Sequence, residues 1–389
     1  MKPSILTLLV VLPALLCAQA RNDERYKSPV PPHTLPWIDV SGEDSRRVVV
    51  AQGTPEIYQG HPSTVLMPDQ KTIYAVWSYD HGGPSGPMKR SDDGGKTWSE
   101  LLPVPDTWPQ ARNCPIIFRV PDPQGRFRLF VFAGQGPDGN MQQAVSEDEG
   151  RTWSPMKTNG LRCVMPFTTV VPVEGGKKLI GLASIRRPTA PKKDFSNLLV
   201  QSVSEDGGFT WSPWQVLFDV ADPELMICEP AIIRSPSGRQ LLCLLRENVR
   251  KVALYITSDD EGRTWSDLKP LPPGLFGDRH APRYAPDGRL VVTFRDSGRK
   301  SPTRTHFLAW VGRYEDIIAG RDGQYRIKLQ HSYKGMDCGY SGLESLPDGT
   351  FVATTYIKYR EGEEKNSVIS LRFNLTETDS RLKEANKSP

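Results

Sequence analysis

One eight-residue pattern occurs four times in this chain, and it constrains the fold more than any other feature. The pattern S-x-D-x-G-x-T-W occupies residues 91–98, 146–153, 204–211 and 258–265. In a turn of this kind the Asp accepts backbone hydrogen bonds, the Gly supplies positive φ, and the Trp packs back between strands. Four copies at nearly constant spacing therefore indicate one β-hairpin unit that is repeated along the chain.

A second, looser repeat accompanies the octets and extends beyond them. Six short apolar strands recur, most of them running into a Pro/Asp/Gly turn, and each is followed by a second apolar strand; no long segment with helical period competes. The first strands begin at His61, Cys114, Met165, Glu229, Ala281 and Tyr340, and the second strands cover 73–77, 129–132, 179–183, 241–245, 290–294 and 351–356. Six units of about 62 residues predict an all-β fold, a six-bladed β-propeller of four-stranded antiparallel blades. The fifth and sixth units lack the octet, and its closest relic in the fifth is at 314–316.

The N-terminus has the pattern of a secretory signal peptide. Lys2 precedes an apolar stretch at 5–16, and Ala18 and Ala20 form a small-x-small cleavage site. The apolar stretch is too short to span a bilayer, and a buried N-terminal helix is the alternative. We therefore expect cleavage after Ala20 and a secreted or periplasmic protein. The predicted organisation is a signal peptide at 1–20, an N-terminal extension at 21–45, the propeller at 46–378 and a C-terminal tail at 379–389.

Composition narrows the classes of partner. The net charge of the 389 residues is only +4, and no Lys/Arg-rich run is present, so we expect no nucleic-acid partner. Of the six Cys, only Cys17 lies in the predicted leader, so the remaining five cannot all pair within one chain. No Cys/His spacing suggests zinc. We expect no metal, no cofactor and no membrane span, and we expect a monomer.

The candidate site follows from propeller geometry. First strands line the central channel, so the starts of first strands and the ends of second strands meet at one mouth of it. The strand starts supply His61, Arg112, Arg162, Glu229, Arg279, His280 and Tyr340. The strand ends supply Asp80, Gln135, Arg186, Arg187, Arg246, Glu247, Arg295 and Asp296. This cationic set predicts an anionic small ligand, most simply a carboxylate held by Arg, unless these Arg side chains only pair with carboxylates between blades.

The octets are the turns known as Asp-boxes, and with six blades the whole mature chain resembles the sialidase (neuraminidase) superfamily. Three segments extend the resemblance: 228–233 (CEPAII) followed by Arg246, 339–343 (GYSGL), and 77–81 (WSYDH). Asp-boxes also occur in propellers that are not sialidases, so the functional argument depends on the site residues.

The resemblance implies a reaction and a role for each residue. Tyr340 would be the nucleophile, Glu229 its base, Asp80 the acid/base and Arg246 one arm of an arginine clamp for the substrate carboxylate. The implied activity is that of a secreted exo-acting glycoside hydrolase that releases terminal sialic acid or a related acidic sugar from glycans and glycoproteins. The alternatives are a non-catalytic glycan-binding propeller, a glycosidase of different specificity, and a scaffold.

The sequence also departs from the family pattern. Gly60 stands where the first-blade motif of sialidases has an Arg, so one clamp residue is missing. The interval from Glu229 to Arg246 is one residue longer than expected, which would turn Arg246 away unless a bulge corrects it. The third clamp residue is ambiguous: loop position favours Arg304, the strand end favours Arg295, and Arg299 lies between them. Replacements for the missing arm are Arg112 and Arg279, and His61 could be catalytic or only hydrogen-bonded.

Overall fold

A computed structural model describes residues 32–135, 139–187, 197–219, 225–385 and 387. The predicted signal peptide and its cleavage site lie outside these residues. Six sheets follow one another along the chain, and the first strand of each sheet contacts the first strand of the next until the sixth returns to the first. This closed ring of inner strands is a six-bladed β-propeller, as the repeats predict.

The first three blades follow the predicted strand order. Blade 1 contains β3 (Gln59–Leu66), β4 (Ile73–Tyr79) and β5 (Ser85–Ser91). Blade 2 contains β6 (Arg112–Pro121), β7 (Phe127–Gly134), β8 (Gly139–Ser146) and β9 (Lys157–Cys163). Blade 3 contains β10 (Thr169–Val173), β11 (Lys178–Arg186), β12 (Asn197–Ser204) and β13 (Gln215–Asp219). In blade 1 the fourth position is taken by an irregular segment, where the backbone N–H groups of Ser99 and Leu102 donate to β5 carbonyls at 2.8 Å.

The last three blades contain the remaining strands. Blade 4 has β14 (Ile227–Arg234), β15 (Leu241–Glu247), β16 (Leu254–Ser258) and β17 (Lys269–Pro270). Blade 5 has β18 (Gly277–Tyr284), β19 (Leu290–Asp296), β20 (Phe307–Gly312) and β21 (Tyr325–Gln330). Blade 6 has β22 (Ser341–Ser345), β23 (Thr350–Ile357) and β24 (Ser367–Asn374). Every predicted second strand therefore lies within the second strand of its blade.

Two N-terminal strands complete the last two blades. The strand β2 (Arg47–Ala51) pairs antiparallel with β24 and supplies the fourth strand of blade 6. The strand β1 (Trp37–Asp39) pairs parallel with β21 and adds a fifth strand to blade 5. Blade 6 thus combines the N-terminal strand β2 with three strands from the C-terminal part of the chain, and this pairing closes the ring. The predicted boundary at residue 46 stays a prediction, and β1 lies before it.

The octets form the same turn in all four blades, and each begins at the last residue of a third strand. In blade 1 the Asp93 carboxylate accepts hydrogen bonds from the Ser91 hydroxyl at 2.9 Å, the Thr97 N–H at 2.9 Å and the Thr97 hydroxyl at 2.6 Å. Since third strands begin at the channel mouth that holds the candidate residues, these turns lie at the opposite end of the blades. In blades 5 and 6, where the octet is missing, the third strand is followed by the helices α1 (Tyr314–Ile318) and α2 (Leu375–Ala385).

Each octet also packs against the second strand of the preceding blade. A Cβ added at Gly150 would lie 2.6 Å from the Tyr74 ring in blade 1, and one added at Gly262 would lie 2.7 Å from Ile180 in blade 3. Both glycines have positive φ, so backbone conformation and close contact both require glycine there. The octets therefore join neighbouring blades, consistent with a structural role.

The interior is apolar between the blades. The cysteines Cys114, Cys163, Cys228, Cys243 and Cys338 are all buried with free thiols.

In the described part of the chain, no helix is long and apolar enough to cross a membrane.

Candidate active site

A β-bulge near the start of the innermost strand recurs in four blades at the same end of the channel. The pairing register shifts between Gly60 and Ser63, Arg112 and Ile116, Cys228 and Ala231, and Asp278 and Ala281. Within these bulges, φ is 51° at His61, 52° at Glu229 and 60° at Arg279. Positive φ is uncommon for residues other than Gly, and bulges of this kind re-aim side chains near functional sites.

The bulge in blade 4 resolves the extra residue between Glu229 and Arg246. Cys228 pairs with Arg246 and Ala231 pairs with Leu244, so Glu229 and Pro230 together stand opposite one residue of β15. The bulge absorbs the additional residue and turns the Glu229 side chain toward Arg246. The Arg246 Nη1 atom lies 2.7 Å from Glu229 Oε1.

Tyr340, Glu229 and Arg246 form one buried cluster. The Tyr340 hydroxyl donates a hydrogen bond to Glu229 Oε1, and Arg246 Nη1 lies 3.3 Å from the Tyr340 oxygen. Tyr340 and Glu229 expose only 8% and 2% of their surfaces. The second carboxylate oxygen, Glu229 Oε2, is buried and has no hydrogen-bond partner among the described residues. The cluster thus joins a phenol, a carboxylate that accepts its proton and a cation that touches both.

The electrostatic environment keeps the phenol protonated. Burial and the negative charge of Glu229 raise the pKa of Tyr340 well above its ordinary value, and the opposing effect of Arg246 is smaller. A neutral phenol is a weak nucleophile until a base takes its proton. Glu229 is placed to be that base, since it already accepts the hydroxyl hydrogen bond.

Two further bulge residues surround Tyr340. The His61 ring centroid lies 4.7 Å from that of Tyr340, and the Arg279 guanidinium carbon lies 5.3 Å from the Tyr340 ring centroid. Burial, with a smaller contribution from His81, lowers the pKa of His61 to about 3, so its imidazole is neutral. Neither His61 nitrogen has a hydrogen-bond partner in the described ranges, and the half-buried Arg279 guanidinium makes no hydrogen bond or ion pair there.

Arg295 is brought to the same region by a residue that the sequence analysis missed. Asp278 is completely buried and bridges the two arginines, with Oδ1 at 3.2 Å from Arg246 Nε and Oδ2 at 2.8 Å from Arg295 Nη2. Burial opposes ionisation of Asp278, but Arg246 and Arg295 outweigh it and lower the pKa of this carboxyl. The signal was in the sequence: two arginines at the ends of adjacent second strands need a buried counter-ion, and Asp278 starts the strand beside them.

A cavity of about 660 Å³ opens beside the cluster at the channel mouth. It is lined by Tyr58, Asp80, His81, Arg295, Lys334, Met336, Asp337 and Lys365. His81 in the cavity wall packs against His61, with ring centroids 4.6 Å apart, and His61 in turn packs against Tyr340. The cavity therefore adjoins the cluster. Asp80 is exposed at the rim with φ of 58°, and its carboxylate makes no hydrogen bond within the described segments.

The lining of the cavity includes a second carboxylate, Asp337, which the sequence analysis also missed. Asp337 accepts a hydrogen bond from the Tyr58 hydroxyl at 2.8 Å and pairs with Lys334 Nζ at 2.8 Å. Burial works against ionisation, but hydrogen bonds from His81, Lys334 and Tyr58 lower the pKa of Asp337 below its usual range. Three neighbouring groups therefore hold Asp337 as a carboxylate. The Asp80 carboxylate has no such partner among the described residues.

The missing first-blade arginine is explained by local packing. A Cβ added to Gly60 would lie 2.5 Å from Cε1 of Tyr58. The Tyr58 ring therefore occupies the space next to Gly60, and blade 1 presents His61 instead of a guanidinium.

Other predicted residues do not join the cluster. Arg112 and Arg304 are exposed, and their side chains make no hydrogen bond or ion pair among the described residues. His280 turns away toward the Leu275 carbonyl, with Nε2 at 2.9 Å, and Asp296 pairs with buried Arg326 at 2.8 Å. The roles assigned to all these residues stay predictions. No group of three or more His, Cys, Asp or Glu in the described ranges is arranged to hold a metal ion.

Comparison with known proteins identifies the repeat. Residues 71–292, more than half of the chain, match the BNR repeat-like domain family. The chain belongs to this family. No curated protein matches the sequence.

Solved structures share the propeller of this BNR-repeat chain. A Dyadobacter fermentans protein of unknown function has a TM-score of 0.66 at 16% identity, over 85% of this chain and 98% of that one. The intramolecular trans-sialidase of Ruminococcus gnavus has a TM-score of 0.55 at 15% identity, over 85% and 97%. The NanB sialidase of Streptococcus pneumoniae has a TM-score of 0.55 at 13% identity, over 85% and 71%. The architecture is therefore that of a sialidase-like BNR propeller.

Proposed function

We propose that this protein is a retaining, exo-acting glycoside hydrolase of the sialidase type, which releases terminal sialic acid or a related acidic sugar from glycans and glycoproteins. One observation carries the proposal: the buried Tyr340 hydroxyl donates to Glu229, and Arg246 contacts both oxygens. A packed aromatic residue needs neither partner, whereas a tyrosine nucleophile needs a base to accept its proton.

In the first step the Tyr340 oxygen attacks the anomeric carbon and the bond from that carbon to the leaving oxygen breaks. The phenol proton passes to Glu229 Oε1, and Arg246 stabilises negative charge that develops on the phenol oxygen. Asp80, at the rim of the cavity, donates a proton to the leaving oxygen. The product of this step is a sugar bound covalently to Tyr340.

In the second step water attacks the same carbon and the bond to the Tyr340 oxygen breaks. Asp80, now ionised, takes a proton from the water, and Glu229 returns its proton to the departing phenol oxygen. Both carboxyl groups and the phenol regain their starting states. Since the two displacements occur at one carbon, the configuration of that carbon is retained.

A phenol nucleophile suits an acidic sugar. Sialic acid carries a carboxylate on the reacting carbon, so attack by a neutral phenol avoids the charge repulsion that a second carboxylate would bring. Arg279 lies next to Tyr340 and is not engaged by another described residue, which makes it the better of the two predicted replacements for the missing arm. Two of the solved structures with this fold are a sialidase and a trans-sialidase, and this likeness supports the same substrate class.

A second candidate is a glycosidase of different specificity. It is favoured by the Tyr58 ring beside Gly60, because this packing removes one cation that the sialidase pattern would place in the site. The same Tyr340 chemistry would then act on another terminal sugar. We further propose that the protein acts outside the cytoplasm, as its N-terminal pattern predicts; a mature chain beginning at Arg21 would support export.

The test is Tyr340→Phe, which removes the nucleophilic oxygen and keeps the ring. We expect turnover of a fluorogenic aryl sialoside to fall by at least about 10³-fold, while the circular dichroism spectrum and Tm stay close to those of the parent protein. Tyr284→Phe is the matched control, since it removes a hydroxyl that donates to the Arg234 carbonyl at 2.9 Å on another inner strand. Undiminished turnover in folded Tyr340→Phe contradicts the proposal.

A further inference from the structure

Two arginines of the site are already paired with protein carboxylates. Asp278 Oδ2 lies 2.8 Å from Arg295 Nη2 and 3.1 Å from Arg295 Nε, so it takes one whole edge of that guanidinium. The remaining Arg295 donor, Nη1, bonds the carbonyl oxygens of Met336 and Cys338. Arg295 therefore has no complete pair of N–H groups left for a ligand.

Arg246 is committed in a similar way. Its Nε donates a hydrogen bond to Asn248 Oδ1 at 2.6 Å and lies 3.2 Å from Asp278 Oδ1, and its Nη1 lies 2.7 Å from Glu229 Oε1. Two guanidinium groups, those of Arg246 and Arg295, thus face two protein carboxyl groups, those of Asp278 and Glu229, at close range. An incoming carboxylate gains little from a cation whose charge is already balanced at close range.

Arg279 differs from both. It follows Asp278 directly in the chain and adopts φ of 60° within the bulge of blade 5. The bulge separates the two neighbouring side chains: Asp278 reaches the buried arginine pair, whereas the Arg279 guanidinium carbon lies 5.3 Å from the Tyr340 ring centroid. Its side chain is only partly buried and makes no hydrogen bond or ion pair in the described part of the chain.

We infer that Asp278 determines how this site recognises an acid: it pairs with Arg246 and Arg295, and so leaves Arg279 as the arginine that meets the substrate carboxylate. The inference rests on the proposed function, because it assumes an acidic sugar at Tyr340. In place of a clamp of three arginines, the Arg279 guanidinium, which lies over the face of the Tyr340 ring, would contact the carboxylate. Asp278 is a specificity-determining residue here, and it does not take part in the bond-breaking steps.

The probes are the 2,3-didehydro derivative of sialic acid and its methyl ester, which differ only in the charge of the group that Arg279 would bind. Isothermal titration calorimetry gives Kd for each, and the preference for acid over ester isolates recognition of the carboxylate. We expect a preference of about 10- to 100-fold in the parent protein, the strength of one charge-assisted contact.

The decisive comparison is Arg279→Gln against Arg295→Gln. Arg279→Gln should abolish the preference for the acid, and Arg295→Gln should leave it nearly unchanged. Because Arg295 is buried, Arg295→Lys, which keeps a charge for Asp278, serves if Arg295→Gln does not fold.

Asp278→Asn should raise the preference for the acid, since it removes one of the two carboxylates that balance the arginines. If this variant does not fold, the Arg295 variants still test whether Arg279, and not Arg295, binds the substrate carboxylate.

The possible failures are distinguishable. Loss of the preference in a folded Arg295 variant, or its survival in Arg279→Gln, overturns the inference and leaves a glycosidase with a shared clamp. An unchanged preference in folded Asp278→Asn overturns the role of Asp278. A parent protein that binds neither probe and does not cleave aryl sialosides overturns the proposed function together with the inference.

Discussion

Two devices recur around this propeller, the octet turns at one end of the blades and the bulges at the other. The four octets repeat side chains as well as backbone: the Asp carboxylate bonds the Thr hydroxyl at 2.6 Å in blades 1, 2 and 4 and at 2.5 Å in blade 3. The bulges repeat the register shift and, in blades 1, 2 and 4, a proline (Pro62, Pro115 and Pro230), but the residue with positive φ differs from blade to blade. Their positive-φ residues include His61, Glu229 and Arg279, which have different chemistry.

The difference separates structure from function within one chain. A turn that must close four hairpins in the same way needs the same residues each time, because each hydrogen bond serves the same backbone geometry. A bulge that aims a side chain at the channel mouth fixes direction but not residue type. Repeated side chains therefore mark the scaffold, and varied side chains on a repeated backbone mark the candidate site.

The largest expected effect comes from changing a bulge residue. Glu229→Gln keeps the shape of the side chain and removes the base, so turnover should fall by about 10²- to 10⁴-fold. Glu344→Gln is the matched control: Glu344 is also a buried carboxyl on an inner strand, its Oε1 accepts the Thr64 hydroxyl at 2.7 Å, which an amide oxygen can still do, and Arg283 Nη2 lies only at 3.9 Å from its Oε2. Equal losses of kcat in the two folded variants would show that the bulge position has no special role.

An octet residue should affect stability and leave chemistry unchanged. Asp206→Ala removes hydrogen bonds to the Ser204 hydroxyl, the Thr210 N–H and the Thr210 hydroxyl, and should lower the free energy of unfolding by about 1–2 kcal/mol. We expect kcat/KM at 20 °C to remain that of the parent protein. The exposed neighbour Glu205 provides the control, since Glu205→Ala should change Tm far less. A large fall in kcat of folded Asp206→Ala would contradict the separation.

The smallest effect concerns acid stability. Hydrogen bonds from Thr152 lower the pKa of Asp148 to about 2, so its contribution to stability is complete above the unfolded value of about 3.9 and is lost as pH falls toward 2. Asp148→Asn lacks this titration, so its Tm should fall less steeply between pH 4 and pH 2. Differential scanning calorimetry across this range makes the comparison; parallel curves for parent and variant would show that the carboxylate does not stabilise the turn.

Much of the architecture could be predicted from the sequence because its determinants are local. The octets and the six second strands are set by turn chemistry and apolar runs, and the structure confirms them. The pairing of Glu229 with Arg246 could be predicted only with the condition that a bulge absorb one residue, which the structure supplies.

Other features depend on contacts between distant segments and could not be predicted in the same way. The Tyr58 ring beside Gly60, the bridge from Asp278 to two arginines, and the parallel strand β1 all require the final register of neighbouring strands. Buried ion pairs in particular follow from which residues meet in three dimensions. The choice between Arg304, which loop position favours, and Arg295, which its strand end favours, illustrates the limit: only the structure shows that Arg295 lines the cavity and that Arg304 is exposed.

The central claim is that Tyr340 attacks the sugar, and trapping the covalent intermediate tests it most directly. A fluorinated sialosyl fluoride forms the intermediate through its good leaving group, while the additional fluorine slows the second step. Incubation with the folded parent protein, followed by mass spectrometry of the intact chain and of its peptides, should give one sugar adduct on the peptide that contains Tyr340, and Tyr340→Phe should give none. An adduct on Glu229 or Asp80, or time-dependent inactivation that persists in Tyr340→Phe, would contradict the claim.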